Sequence, residues 1–140
     1  MASFNKFDAF TENLAEKVHN LGSDTLTIAL CAAANAPVAT NSVLADLTQV
    51  SYTYCSARAV TITSSGQTSG VYKLVLQDLV LTATGGAVGP FRYIVLYNDT
   101  PTSPADPLIG WYDYGSEITL AAGETLTIDF DGTNGALTLT

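Results

Sequence analysis

The sequence predicts a mainly β fold, namely a jelly-roll-like antiparallel β-sandwich with one N-terminal amphipathic helix. Apolar and polar residues alternate in several short segments, of which "TLTIALC" (25–31) is the clearest, and this period of two is typical of half-buried strands. Turn residues separate about eight such segments at the short intervals common in sandwiches and barrels. Strands and helices do not alternate along the chain, which argues against a doubly wound parallel sheet.

The N-terminal segment, residues 5–21, predicts an amphipathic helix, with Asn5 as a suitable N-cap and Gly22 as a natural C-terminal stop. Its apolar side chains fall within an arc of about 120° on a helical wheel. These side chains are Phe4, Phe7, Phe10, Leu14, Val18 and Leu21. Two interpretations are open. The apolar face packs on the domain's own sheet, or its three phenylalanines dock onto a partner.

A strand at 24–31 follows the helix, and a long connection at 32–50 follows the strand. We expect a short helical turn at 42–47 within this connection. Connections of this length often contact a partner, although they also cross the edge of a sandwich. A strand is predicted at 57–63, followed by a polar, glycine-containing loop at 64–70.

The segment 71–84 alternates, but its apolar phase changes near Gln77 and Asp78. This change indicates a bulge or a change of partner sheet. The segment 91–98 is apolar on both faces, which predicts a central strand. A proline-rich surface loop follows it. The remaining β segments are 108–115, the two sides of the turn at 121–124, and the last strand at 136–140.

Size and composition indicate one domain. The chain has 140 residues, of which 47% are hydrophobic and only 13% are charged. It can therefore form a hydrophobic core, and Thr, Ser, Asn and Gly must form much of its surface. We expect residues 1–22 to form an N-terminal arm and helix, and residues 23–140 to form a single β-sandwich domain.

The net charge of −8 limits the classes of partner. An acidic surface repels the phosphate backbone and anionic lipids, so neither nucleic acid nor a membrane is an expected partner. The N-terminus lacks the apolar core of a secretory signal. Cys31 and Cys55 match no metal-binding spacing, and in a reducing cytoplasm we expect both thiols to be free and buried.

Few residues suggest catalysis, and we do not expect an enzyme or a cofactor. The one histidine, His19, is expected to face solvent from the helix, and neither cysteine has a second histidine that could serve as its base. The turn at 129–135 offers side-chain oxygens, but it lacks the third acid and the closing glutamate of an EF-hand loop. We therefore expect a simple turn and no metal.

An aromatic run is the strongest local feature. Trp111, Tyr112 and Tyr114 lie beside Asp113 and Glu117, a combination found on sugar-binding surfaces. The same residue types are enriched at protein interfaces, and they also pack into a chain's own core. All three interpretations are open.

Two long stretches, "FNKFDAFTENLAEKVHNLGSDTLTIAL" with "NAPVATNSVLADLTQV", and the C-terminal "YNDTPTSPADPLIGWYDYGSEITLAAGETLTIDFDGTNGALTLT", resemble the capsid cement (decoration) proteins of tailed phages. The resemblance covers most of the chain and includes no catalytic signature. It implies a jelly-roll fold, a homodimer near local two-fold axes of an icosahedral head, and contacts with the major capsid protein. It also implies synthesis in the host cytoplasm and a final place on the outer surface of the phage head.

The expected function is therefore structural, namely cementing neighbouring capsid subunits against internal DNA pressure. The last strand "ALTLT" is expected to offer an edge to a neighbour, and removal of residues 1–10 is expected to weaken binding more than it weakens the β domain. The side chains expected to contact a partner are Phe4, Phe7, Phe10, Trp111, Tyr112, Tyr114, Leu137 and Leu139.

Two rival functions are also open. A carbohydrate-binding β-sandwich module would use Trp111 and the neighbouring tyrosines, and it predicts that Trp111→Ala abolishes glycan binding while the fold stays intact. A small enzyme would need a perturbed carboxylate pair in a cleft, which a sequence cannot reveal.

Overall fold

The computed structural model describes residues 3–140, which are 47% strand and 10% helix, with antiparallel sheets and one α-helix. These values confirm the mainly β prediction. The elements are β1 (Phe4–Lys6), α1 (Asp8–Ala15), β2 (Leu26–Cys31), β3 (Ala59–Val60), β4 (Ile62–Thr68), β5 (Val71–Leu76), β6 (Leu79–Thr82), β7 (Val88–Asn98), β8 (Leu108–Leu120), β9 (Thr125–Ile128) and β10 (Leu137–Leu139). Two short 3-10 helices span Ala33–Asn35 and Leu44–Asp46.

The strands form three antiparallel sheets. Five strands are arranged in the order β1-β8-β7-β2-β3, three in the order β10-β5-β4, and β6 pairs with β9. The central position of β7 confirms the prediction from 91–98, whose apolar residues face both sides of the five-stranded sheet. The predicted helical turn in the long connection is also confirmed, as the 3-10 helix Leu44–Asp46.

The predicted change at Gln77 and Asp78 is a change of sheet. β5 ends at Leu76 in the three-stranded sheet, and β6 begins at Leu79 in the two-stranded sheet. The junction is held by two hydrogen bonds. The Gln77 amide donates to the Thr61 carbonyl at 2.9 Å, and the Phe130 amide donates to Asp78 Oδ1 at 2.9 Å.

The helix is shorter than predicted at both ends. Asn5 lies in β1, which pairs with β8, so it is not an N-cap. The Phe7 amide continues this pairing by donating to the Ile109 carbonyl. At the other end, Lys17 adopts a φ of 68°, outside the helical region, shortly after α1 ends. Although the helix is shorter, Phe7, Phe10 and Leu21 of the predicted apolar face are all buried.

The predicted polar loop at 64–70 is wrong, because most of it is strand β4. Ser69 and Gly70, with φ values of 51° and 82°, form the tight turn of the β4–β5 hairpin. Two successive positive φ values match the twist of antiparallel strands. β4 is an edge strand whose residues are mostly exposed, so its polar composition resembled that of a loop.

The core has two parts, on opposite faces of the five-stranded sheet. The larger part joins all three sheets, through residues such as Ile28, Leu74 and Leu81. The smaller part contains Phe7, Ala29, Cys31, Val95, Tyr97 and Leu108. Leu44 and Leu47 pack against the smaller part, so the long connection covers the sheet face that the other two sheets leave open.

Candidate partner-binding groove

The eight side chains predicted to contact a partner lie in three places. Four line an open groove between the N-terminal segment and the last strand, namely Phe4, Phe10, Leu137 and Leu139. Tyr112 and Tyr114 line a separate cleft. Phe7 and Trp111 pack against each other in the smaller core. The structure thus brings together candidates from both ends of the sequence.

The narrower part of the groove has a volume of about 380 Å³ and lies between β1, α1 and β10. From β10, the consecutive residues Leu137, Thr138 and Leu139 all line it. Successive side chains of a strand point to opposite faces, so a lining made of consecutive residues indicates that β10 presents its edge. β5 pairs with β10 on its other side.

The wider part of the groove has a volume of about 540 Å³ and shares Leu14 and Leu139 with the narrower part, so the two parts adjoin each other. Its other lining residues are Lys17, His19, Asn20, Leu21, Gly22, Ser65 and Tyr72. Leu139 is 54% exposed and is the most open apolar side chain of the groove. Sequence reasoning did not identify the wider part, although Leu14 and Leu21 belonged to the apolar stripe.

His19 is buried, at 6% exposure, and the prediction that it faces solvent is wrong. The ring packs against Phe10, with centroids 5.1 Å apart. Asn98 Nδ2 lies 3.1 Å from His19 Nδ1 and 2.7 Å from Asp24 Oδ2. α1 ends at Ala15, six residues before the predicted end and four residues before His19, so the imidazole does not lie on the outer face of the helix.

The hydrogen bonds around Asn98 define the tautomer of His19. Asn98 Oδ1 accepts from the Thr100 amide, and Asn98 Nδ2 donates to the Asp24 carboxylate. The remaining proton on Nδ2 therefore points to His19 Nδ1, which must act as an acceptor. The neutral ring then carries its proton on Nε2. Among the described residues, Nε2 is the buried side-chain polar atom that has no hydrogen-bond partner.

Burial lowers the pKa of His19 to about 4, and the Asp24 carboxylate opposes this shift only partly. Taking an imidazolium out of water is unfavourable, and the nearby carboxylate already accepts hydrogen bonds from Asn98 and from the Asn20 amide. At neutral pH the imidazole is therefore neutral and carries its proton on Nε2.

The charges that line the groove differ from those of the chain as a whole. Lys6 and Lys17 are two of the five basic residues, whereas none of the thirteen acidic residues lines either part, as far as residues 3–140 are described. Lys6 Nζ donates to Thr11 Oγ1. Within the same residues, the ion pair joins Arg92 to Asp113 and involves neither lysine.

The two interpretations of the phenylalanine stripe can be separated. Phe7 is fully buried and Phe10 is 5% exposed, so these two side chains pack on the chain's own sheets. Phe4 is partly buried and lies over Gly110, with its ring centroid 5.2 Å from that of Tyr112. Of the three, Phe4 is the one with a partly exposed side chain.

The aromatic run on β8 does not form one surface, because neighbouring residues of a strand face opposite sides. Trp111 packs on Phe7, with centroids 4.6 Å apart. Tyr112 and Tyr114 face the other side, where they line a cleft of about 230 Å³ with Leu126 and Asp129. Burial raises the pKa of Tyr112 to about 12. Trp111 is partly buried against the smaller core, so we expect its replacement to remove packing contacts as well as any contact with a ligand.

The neighbouring carboxylates have other partners. Asp113 forms a two-contact ion pair with Arg92, at 2.7 and 3.0 Å, and this pairing holds the pKa of the carboxyl below its usual value. Glu117 Oε2 accepts from the Ala33 amide at 3.0 Å. These contacts anchor the irregular part of β8 and the start of the long connection.

Burial explains the state of the two thiols, and local hydrogen bonds explain the "DFDGTNG" turn. Cys31 and Cys55 are free, with Cys31 buried and Cys55 partly buried, and burial raises the pKa of Cys31 to about 11. Asp131 accepts hydrogen bonds from the amides of Thr133 and Asn134, as expected for a turn. Within residues 3–140, no cluster of His, Cys, Asp and Glu is suited to hold a metal ion.

Comparison with known proteins adds no assignment, since no family model, no curated protein and no solved structure matches this chain. In the part of the chain that the structure describes, no helix has the length and apolar character needed to span a membrane.

Proposed function

We propose that this chain is a capsid cement protein, which binds the outer surface of an icosahedral phage head and ties neighbouring major capsid protein subunits together. It would act as a homodimer, without a cofactor and without contact to nucleic acid. A protein that binds only the assembled shell stabilises that shell by mass action, and many copies multiply a modest contact energy.

One observation carries the proposal. Phe4, Leu137 and Leu139 were predicted as contact residues from opposite ends of the chain, and these side chains line one open apolar groove, which the buried Phe10 also lines. The resemblance to cement proteins in sequence supports the same function. Three antiparallel sheets joined by a common core are compatible with the jelly-roll sandwich that the resemblance implies, and we propose that fold as the finer description.

The test is co-sedimentation of the purified chain with shells assembled from the major capsid protein. We expect saturable binding and a higher temperature of shell disruption. Absence of saturable binding to expanded shells would remove the proposal.

Two matched variants assign the binding to the groove. Leu139→Asp places a charge on a side chain that is 54% exposed in the groove, and Val80→Asp does the same on β6, where the side chain is 50% exposed. Surface substitutions of this kind change stability little. We expect Leu139→Asp to weaken shell binding by about tenfold or more, which is about 1.4 kcal/mol, and Val80→Asp to leave it unchanged. Equal effects of the two variants would place the contact elsewhere.

A second candidate is glycan binding, which is favoured by the cleft of Tyr112, Tyr114 and Asp129. Tyr114 is 52% exposed, so a sugar ring could stack on it. Tyr114→Ala is the appropriate variant in a glycan screen, in place of Trp111→Ala, because Tyr114 is not part of the core. Glycan binding that Tyr114→Ala abolishes would establish this candidate.

A further inference from the structure

We propose that the groove binds an extended, acidic and apolar segment of a partner protein, which adds as a short strand to the free edge of β10. This inference rests on the proposed function and deepens it, because it specifies the chemistry of the capsid segment that would be bound.

The free edge of β10 can accept an added strand. β10 pairs with β5 on one side, and its other side borders the groove opposite α1. An edge strand presents unpaired backbone N–H and C=O groups, which serve as a template for an added strand. The facing wall, with Phe4, Phe10 and Leu14, would receive the apolar side chains of that strand.

The charges of the groove favour an acidic occupant. The lining contains Lys6 and Lys17 and none of the acidic residues among residues 3–140, on a chain whose net charge is −8. Carboxylates of the occupant would be attracted to the two lysines. They would be repelled less at the groove than at the acidic remainder of the surface. A second copy of this chain, docked groove to groove about a two-fold axis, would bring the lysines of both copies together. Charge therefore favours a foreign acidic segment.

His19 lines the wider part of the groove, and its neutral ring adds no charge there. Its Nε2 has no hydrogen-bond partner among the described residues, but this atom is shielded from solvent, so an occupant of the groove does not reach it in this structure. The free edge of β10 and the two lysines are therefore the features that select the occupant.

The test uses the full chain, labelled with ¹⁵N, and two short peptides blocked at both ends. One peptide alternates leucine with aspartate, and the other alternates leucine with lysine. We expect the aspartate peptide to cause saturable shifts of the amides of Leu14, Lys17 and Leu137–Leu139. We expect the lysine peptide to bind at least about tenfold more weakly. An aspartate peptide that is N-methylated at alternate residues cannot complete the strand ladder, and it should lose binding.

Matched variants identify the charges. Lys6→Gln with Lys17→Gln should weaken binding of the aspartate peptide, whereas Lys6→Arg with Lys17→Arg should preserve it. The proposal is overturned if no saturable shift occurs, if both peptides bind equally, or if N-methylation has no effect. Concentration-dependent shifts of the β10 amides without peptide would overturn it in favour of a second copy.

The peptide experiment and the shell experiment test different statements, so one can be contradicted while the other is supported. Shell binding without peptide binding would contradict the strand-addition mode and leave the cement function standing. Peptide binding without shell binding would support the groove and remove the cement function.

Discussion

At the scale of single residues, the buried polar groups contribute most to the character of this molecule. Asn98 is fully buried, and its amide connects the Thr100 backbone, Asp24 and His19. Asn98 Oδ1 accepts from the Thr100 amide, and the two protons on Nδ2 are donated to Asp24 and to His19 Nδ1. As a result, His19 is neutral at neutral pH, in one tautomer, with a buried proton on Nε2. A network of this kind makes the local fold sensitive to protonation.

Stability should depend on pH through His19. The pKa of His19 is lowered by burial to about 4 from its usual value of 6.5, so the unfolded state binds the proton more tightly than the folded state. The stabilising contribution is complete above about pH 6.5 and is lost as the pH falls towards 4, by about 2–3 kcal/mol in total. Urea unfolding measured at intervals from pH 7 to pH 4 would show this loss.

His19→Gln is the control for this experiment. His19 is the one histidine of the chain, and most carboxylates titrate below pH 5. The variant should therefore abolish the slope between pH 6.5 and 5. A slope in that window that persists in His19→Gln would show that another group is responsible.

Phe7→Ala should be among the most destabilising single substitutions. Phe7 is fully buried and packs on Trp111 in the smaller core. Truncation of a buried phenylalanine costs about 3–5 kcal/mol. Phe4→Ala, at a partly exposed position, should cost less. Chemical unfolding of both variants tests this order, and a reversed order would contradict the assignment of Phe7 to the core.

At the scale of elements, the chain segment before α1 is held by a strand pairing that depends on one glycine. Gly110 of β8 pairs with Lys6 of β1, and the ring of Phe4 lies where a Cβ atom at residue 110 would project. A Cβ atom there would also lie 2.7 Å from the Asn5 carbonyl oxygen. Glycine is thus needed because β1 and Phe4 approach the backbone of β8 closely.

Gly110→Ala should loosen β1 and destabilise the chain by about 1–3 kcal/mol, as overpacking usually does. Gly66→Ala is a matched control within a strand, because an added Cβ at Gly66 meets no atom within 4 Å. Thermal unfolding and hydrogen exchange of the β1 amides measure the two effects. Similar destabilisation by both variants would mean that the close approach at Gly110 is unimportant.

At the scale of the whole molecule, the two ends of the described chain meet. β1 forms one edge of the five-stranded sheet, β10 forms one edge of the three-stranded sheet, and α1 lies beside the groove between them. The N-terminal segment contributes Phe10 to the larger core and Phe7 to the smaller core. It is therefore integral to the packing of both faces of the five-stranded sheet.

Removal of residues 1–10 should unfold or strongly destabilise the chain, contrary to the expectation from sequence that mainly binding would suffer. The deletion removes β1 and two buried phenylalanines, whose combined contribution is comparable with the whole stability of a domain, about 5–15 kcal/mol. Circular dichroism during heating would show the loss of the cooperative transition. An unchanged melting temperature would contradict the packing described above. Residues 1 and 2 lie outside the described residues.

Local patterns were sufficient for several parts of the fold. The period of two predicted β2, and the apolar run at 91–98 predicted the central strand β7. The phase change at Gln77 and Asp78 predicted a bulge or a change of partner sheet, and the structure shows the change of sheet. The patterns failed where one local pattern is compatible with two structures. The polar residues of β4 are also typical of a loop, and the helical period of apolar residues continued through β1 and through the irregular turn after α1.

The sequence by itself determined that this protein is mainly β, with strands at the alternating segments, because a period of two is the period of side chains along a strand. It did not show that β2 is buried on both faces. It also determined the acidic charge and the two apolar ends. The tertiary structure alone decided that Phe7 and Phe10 are core, that Trp111 and Tyr114 face opposite sides, and that His19 is buried. It alone brought Leu139 to α1, because contacts between residues distant in sequence depend on how the sheets pack, and local periodicity contains no information about that packing.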